Sequence, residues 1–237
     1  MSHVPSHVPS RAASPSAPSA PPAAAAPSAP SAAPAERRTG RPRSAAADRA
    51  IVAATRRALA ELGWSGLTMA EVAARAKVAK TTLYRRWPGK NELVVDSLAA
   101  VFDEQLELPD SGSLAADLSG VVRSFAALLE LPEIRTALMA VVTEATRDEA
   151  LRARIRAAIV DRQKALVLLG RSRAQARGEL PPEPDPQAAA RSADLIFDVI
   201  AGTVVHRTLV SNEPVDAGWA ADFAHLLLTG LASPAAR

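Results

Sequence analysis

The chain has 237 residues, 48% of them hydrophobic, with a formal net charge of +3 and no cysteine. This length suffices for one or two domains with a real core, and the lack of cysteine excludes disulfide staples and thiolate metal sites and fits a reducing compartment. No apolar run reaches the ~18 residues of a spanning helix, so the protein is expected to be soluble and cytoplasmic, with no membrane partner.

The charge is unevenly divided. Residues 37–96 hold 13 Lys and Arg against 5 Asp and Glu, a net +8, while residues 97–237 hold 14 against 19, a net −5. A basic segment joined to an acidic one predicts a nucleic-acid binder with a second function attached.

Residues 1–36 contain nine of the nineteen prolines among alanine and serine. Such a segment cannot offset its ordering entropy by burial, and a disordered tail is predicted. Its prolines interrupt every candidate signal-peptide core. His3 and His7 repeat within SHVPSHVPS; weak metal binding is the minor alternative to a mobile tail. The basic run ERRTGRPRS follows. Arg41 and Arg43 there are placed to reach a minor groove or its phosphates, or else belong to a solvated linker.

A first helix is predicted from near Ser44 to Leu62, with Ile51, Thr55, Ala58, Leu59 and Leu62 at helical spacing and Gly63 ending it. Trp64, in the following loop, is expected to pack on the core. Then comes LTMAEVAARAKVAKTTLYRRWPGK, residues 67–90. Thr68 and Glu71 have the capping-box spacing, with Leu67 and Val72 as the hydrophobic staple. A break at Lys77, Val78 and Ala79 leads into a second short helix, Lys80 to Trp87, stopped by Pro88-Gly89. Two short helices on a tight turn form a DNA-reading unit.

The second of these helices carries the donors such a unit needs. Lys80, Thr81 and Thr82 are the predicted base readers, since a lysine can pair with guanine edges and a threonine methyl can meet thymine. Tyr84, Arg85, Arg86 and Lys90 are expected to hold phosphates, which fixes register without reading sequence. Thr68 and Lys77 complete the candidate DNA contacts, Lys77 by lying near a phosphate.

The run from Ala58 through Lys90, ALAELGWSGLTMAEVAARA and then V-x-K-x-T-LY-R-R-W-x-x-K, resembles the N-terminal domain of the TetR family of bacterial transcriptional regulators. The resemblance covers Arg41 to about Leu98. Two positions depart from it: Lys77 stands where the turn usually has glycine, and Ala79 where a serine cap is common. The resemblance implies an all-α fold, a three-helix helix-turn-helix domain followed by a larger helical domain for ligand binding and dimerisation. We therefore divide the chain into a tail (1–36), a DNA-binding domain with its basic arm (37–96) and a regulatory domain (97–237).

Helices are predicted throughout the remainder. One runs from Lys90 to about Leu108 and is the expected lever between the two domains. Others cover Leu114 to Leu131, a segment from Pro132 through Val142, and Asp148 to about Ala176 with a core face of Leu151, Ile155, Ile159, Leu166 and Leu169. GELPPEPDP, residues 178–186, is a loop by its glycine and prolines. The last two helices, Gln187 to about Val210 and Asp216 to Leu231, are apolar on more than one side and need two partners. The family resemblance implies that they pair with their copies in a four-helix homodimer interface, with Phe197, Ala201, Val205, Phe223 and Leu227 as candidates.

No G-x-S-x-G, H-E-x-x-H or glycine-rich phosphate loop occurs, and no catalytic residue, metal site or cofactor is predicted. His206 and His225 fall among apolar residues, where histidine is more often a core or interface group. The expected function is a repressor that binds a palindromic DNA operator as a homodimer and is released by a small molecule. The alternative is a DNA-binding regulator or activator without such an effector. Candidate effector contacts are Phe102, Phe125, Met139 and Phe197 for apolar packing and Arg123, Glu144 and His206 for orientation.

Overall fold

A computed structural model describes residues 45–183 and 185–232, with the side chains of Leu231 and Ala232 left undescribed. Helices account for its regular structure: α1 (Ala45–Gly66), α2 (Met69–Arg75), α3 (Lys80–Tyr84), α4 (Lys90–Gln105), α5 (Leu114–Glu130), α6 (Pro132–Ala145), α7 (Glu149–Ile155), α8 (Asp161–Ala176), α9 (Pro186–Val205) and α10 (Ala217–Ala232). Single π-helical turns join α7 to α8 (Arg156–Val160) and extend α9 (His206–Val210). The expected all-α fold is what forms.

Helix α1 is interrupted at Gly63, whose φ of 64° and ψ of −174° suit a residue without Cβ. The expected helix end therefore lies at a real break, with helical turns resuming beyond it. Ile51, Ala54, Thr55, Ala58 and Leu59 are buried, and Thr55 returns its hydroxyl to the Ile51 carbonyl. Leu62 was expected on this face but is exposed, being the last residue before the backbone break at Gly63.

Helix α4 crosses the boundary expected at residue 96 without interruption. It packs against α1 and α6, and Leu93, Val94, Val95, Leu98, Val101 and Phe102 are buried along it. Apolar burial on this scale is the main force holding α1 and α4 to the core, at roughly 25 cal/mol per Å² removed from water. The α4 helix ends at Gln105, three residues short of the expected Leu108.

The expected helix from Asp148 to Ala176 is continuous in direction but carries the π turn. One extra residue in a turn shifts every later side chain around the axis. Leu151 and Ile159 are buried as expected, but beyond the π turn Gly170 and Ala174 face inward and Leu169 is exposed. Helix α10 packs mainly on α5, and α9 on α8 and α5.

Candidate nucleic-acid interface and ligand cavity

The turn between α2 and α3 is built by local chemistry. Thr68 caps α2 by accepting from the Glu71 amide at 3.1 Å. The expected reciprocal bond does not form, because the Glu71 carboxylate accepts from Arg75 Nε at 2.6 Å and that arginine also reaches Glu61. At the other end, Lys77 N–H donates to the Ala74 carbonyl and Val78 N–H to the Ala73 carbonyl. This is a Schellman motif. Lys77 holds its left-handed position at φ 54° without being glycine. The same motif closes α8, where Gly178 occupies the equivalent position at φ 77°.

Helix α3 follows with Ala79 as an N-cap that offers no side-chain bond. It is shorter than expected, ending at Tyr84; Arg86 and Trp87 N–H groups then both donate to the Leu83 carbonyl. Leu83 and Trp87 are buried and Val78 is packed on the core, so the opposite face is presented outward. On it lie Lys80, Thr81, Tyr84 (53% exposed) and Arg85, with Thr82 partly covered and Lys77 exposed at the turn.

Two further candidate contacts, Arg86 and Lys90, are already engaged within the chain. Arg86 pairs with Asp48 of α1. The Lys90 ammonium lies 4.1 Å from the centroid of the Trp64 ring and donates to the Trp64 carbonyl at 3.2 Å. Trp64 thus packs on the core as expected and also steadies the start of α4. Arg41 and Arg43 lie outside the described residues.

Polar links tie this module to the other helices. Trp87 Nε1 donates to Asp96 Oδ2 at 2.8 Å, and Arg154 of α7 grips the same carboxylate in bidentate fashion at 2.9 and 2.7 Å. Arg56 of α1 pairs with Glu133 of α6 at 3.5 Å. Sequence spacing offered no signal for either link, since the partners are 58 and 77 residues apart.

A cavity of about 110 Å³ lies among α4, α5, α8 and α9. Roughly 10–15 Å³ suffices for one water, so it is large enough for part of an organic ligand. Phe102, Phe125 and Phe197 line it as expected, the first two in edge-to-face contact at 6.1 Å. Leucines 106, 108, 114, 118, 166 and 180 and Val121, Val167, Ile159, Ile196 and Ile200 complete an aliphatic wall, to which Ala201 also belongs.

Arg123, Met139, Glu144 and His206 are absent from this wall. Each is exposed on the outer side of its helix, and His206 Nδ1 lies 3.4 Å from Ser211 Oγ. The polar lining is instead Asp117, Gln163 and Arg171, which sequence spacing did not single out. Asp117 is buried, yet Ser111 donates to it from N–H at 2.8 Å and from Oγ at 2.6 Å, and Arg177 lies at 3.4 Å. Burial pushes this carboxyl upward, but the Ser111 bonds and the Arg177 charge outweigh it and hold Asp117 below its ordinary value.

Of the candidate interface residues, Phe223 is buried and stacks on Trp219 at 5.1 Å, while Phe197, Ala201, Val205 and Leu227 are partly buried. Beside them Leu195 (65%), Val210 and Leu226 (69%) are exposed. These three large apolar side chains are left bare on α9, on its π-helical extension and on α10.

Two family descriptions match the chain: "Bacterial regulatory proteins, tetR family" over residues 51–96, and "Tetracyclin repressor-like, C-terminal domain" over residues 108–227. A helix-turn-helix transcriptional regulator of Mycobacterium tuberculosis is 31% identical over 69% of this chain and 77% of its own. The DNA-binding transcriptional repressor TetR of Mycobacteroides abscessus is 32% identical over 79% of this chain and 95% of its own. The crystal structure of the TetR family transcription regulator SCO0332 superposes with a TM-score of 0.65 at 28% identity, over 79% of this chain and 99% of that one.

Proposed function

The chain belongs to the TetR family of bacterial transcriptional regulators, which are not enzymes, and we propose that it is a ligand-released repressor acting in the cytoplasm as a homodimer. In this reading the tail (1–36), the DNA-binding domain (37–96) and the regulatory domain (97–237) keep the roles expected of them. Each subunit presents Lys80, Thr81 and Thr82 to a major groove, with Lys77, Tyr84 and Arg85 near phosphates. Two-fold symmetry then requires an inverted-repeat operator. Arg86 and Lys90 act from behind, holding α1 and α4 in place.

The observation that carries the proposal is the reach of α4. Its first residue, Lys90, is held by Trp64 behind the recognition module, and Phe102, near its far end, lines the cavity. A ligand that fits one position of α4 better than another would shift the spacing of the two DNA-reading helices, and only that difference in affinity can do so. The cavity favours this reading over a regulator without an effector. Dimerisation through α9 and α10 is supported by the exposed Leu195, Val210 and Leu226.

Selection of bound sequences from a random duplex library tests the proposal. Enrichment of an inverted repeat is expected. A library that yields no motif, or only single half-sites, would overturn the dimeric, sequence-specific reading.

A further inference from the structure

We propose that the cavity takes a small uncharged aromatic hydrocarbon, a single ring of about six carbons, bound by contact with phenylalanine and aliphatic side chains alone. The proposal rests on the reading of this cavity as the effector site. Size sets the upper bound. An apolar cavity of ~150 Å³ lined by Leu, Ile and Phe takes benzene and holds no ordered water, and at about 110 Å³ the present one leaves room for one ring and none for a second. Three of the four phenylalanines in the chain, Phe102, Phe125 and Phe197, line it, and the first two already meet edge to face at 6.1 Å and 88°. A guest ring extends that arrangement, since aromatic pairs gain from the attraction between the edge of one ring and the face of another.

The polar residues of the lining offer a ligand nothing. Asp117 has one oxygen occupied by the N–H and hydroxyl of Ser111 and the other by Arg177. Gln163 and Arg171 are half-buried, and neither has a buried polar atom without a partner, so their polar ends reach solvent while their aliphatic stems form the wall. No residue of the wall leaves a buried side-chain polar atom unpaired. A hydroxyl, amine or carboxylate on a ligand would therefore give up its bonds to water and receive none in return, and a charge would cost more still. Selectivity comes from excluding polarity, not from recognising it. A regulator with this cavity responds to a dissolved hydrocarbon and ignores its hydroxylated or carboxylated products.

The test uses the full-length protein without DNA and compares benzene, cyclohexane, phenol and benzoate by titration calorimetry. Benzene is expected to bind, cyclohexane to bind about two- to tenfold more weakly for want of ring contacts, phenol roughly five- to a hundredfold more weakly for its unanswered hydroxyl, and benzoate not detectably. Val167 and Leu118 both line the cavity. Val167→Phe, which places a ring in the same space, should abolish benzene binding. Leu118→Ala, which enlarges the space instead, should shift the preference from benzene to p-xylene, and it keeps the test decisive if the first variant fails to fold. No binding of benzene, phenol, benzoate or cyclohexane binding as tightly as benzene, undiminished benzene binding in a folded Val167→Phe, or a Leu118→Ala protein that still prefers benzene would each overturn the proposal. Because DNA is absent, such a failure leaves operator selection unaffected. Benzene binding that does not release a selected operator would uphold the site and count instead against the ligand-released mechanism.

Discussion

Asp96 accepts the indole N–H of Trp87 at 2.8 Å while its carboxylate is gripped from the other side by Arg154. Trp87 is the buried residue that closes the recognition module, and Arg154 belongs to α7, which packs on α4 and α6 and runs through a π turn into α8. One carboxylate therefore joins the end of the recognition module and α4 to a helix 58 residues further along the chain. The pairing gives the chain a direct path from the core to the DNA-reading turn, in addition to α4 itself.

Asp96→Ala is expected to leave the helices intact and to lower the free energy of unfolding by about 1 kcal/mol, since the Asp96–Arg154 pair is partly solvated. Operator affinity should fall with base preference unaltered, because Trp87 orients the module and reads nothing. Urea denaturation and binding to matched and mismatched duplexes measure the two effects. Full retention of affinity would remove the link from any role in DNA binding.

Acid should weaken the protein through Asp117. Its native carboxyl is held below the ordinary range, so the unfolded chain takes up the proton first. The stabilisation is complete above about pH 4, the ordinary carboxylate value, and is lost as the pH falls through the lower native value. Glu179, lowered by the Leu114 amide and by Arg177, titrates in the same sense. Asp117→Asn is expected to cost about 1–3 kcal/mol at neutral pH, with the gap to the parent closing on acidification. A pH-independent gap would show that the side chain serves only as packing.

The helices and the DNA-reading turn were legible because their signals are local. Thr68 before Glu71, Pro88-Gly89, and the periodic Leu and Val of α5 each act within a few residues. Arg171 and Gln163 escaped because a cavity is assembled by four helices, and because the π turn at Arg156–Val160 changes which face of α8 looks inward. Sequence counted in 3.6-residue turns puts Leu169 in the core, whereas the fold puts Gly170 there. Arg86 likewise looked like a free cation until Asp48, thirty-eight positions earlier, was brought beside it.

Lys77→Gly separates structural strain from DNA contact. The equivalent position at the end of α8 is Gly178, and Lys77 adopts the same left-handed conformation with a Cβ attached. Relief of that strain should raise stability by up to about 1 kcal/mol. If Lys77 also neutralises a phosphate, the dependence of log affinity on log salt should become shallower by about one unit per subunit. A stabilised variant with an unchanged salt slope would remove Lys77 from the interface.

Lys80 and Tyr84 lie on the exposed face of α3 but in different turns, and their substitution should have different signatures. Lys80 is at the helix start, which in the proposed docking enters the groove first, and Lys80→Ala is expected to cost about 1–3 kcal/mol and to relax preference at one operator position. Tyr84 is a turn further on, beside the groove wall in the same proposed docking, and Tyr84→Phe keeps the ring while losing only its hydroxyl. That change should weaken all duplexes alike, by about 1 kcal/mol for one uncharged donor. Affinities for a selected operator and its single-base variants distinguish the two. Uniform weakening by Lys80→Ala would move that lysine from the base-reading set to the phosphate-holding one, and the sequence preference of the protein would then rest on Thr81 and Thr82.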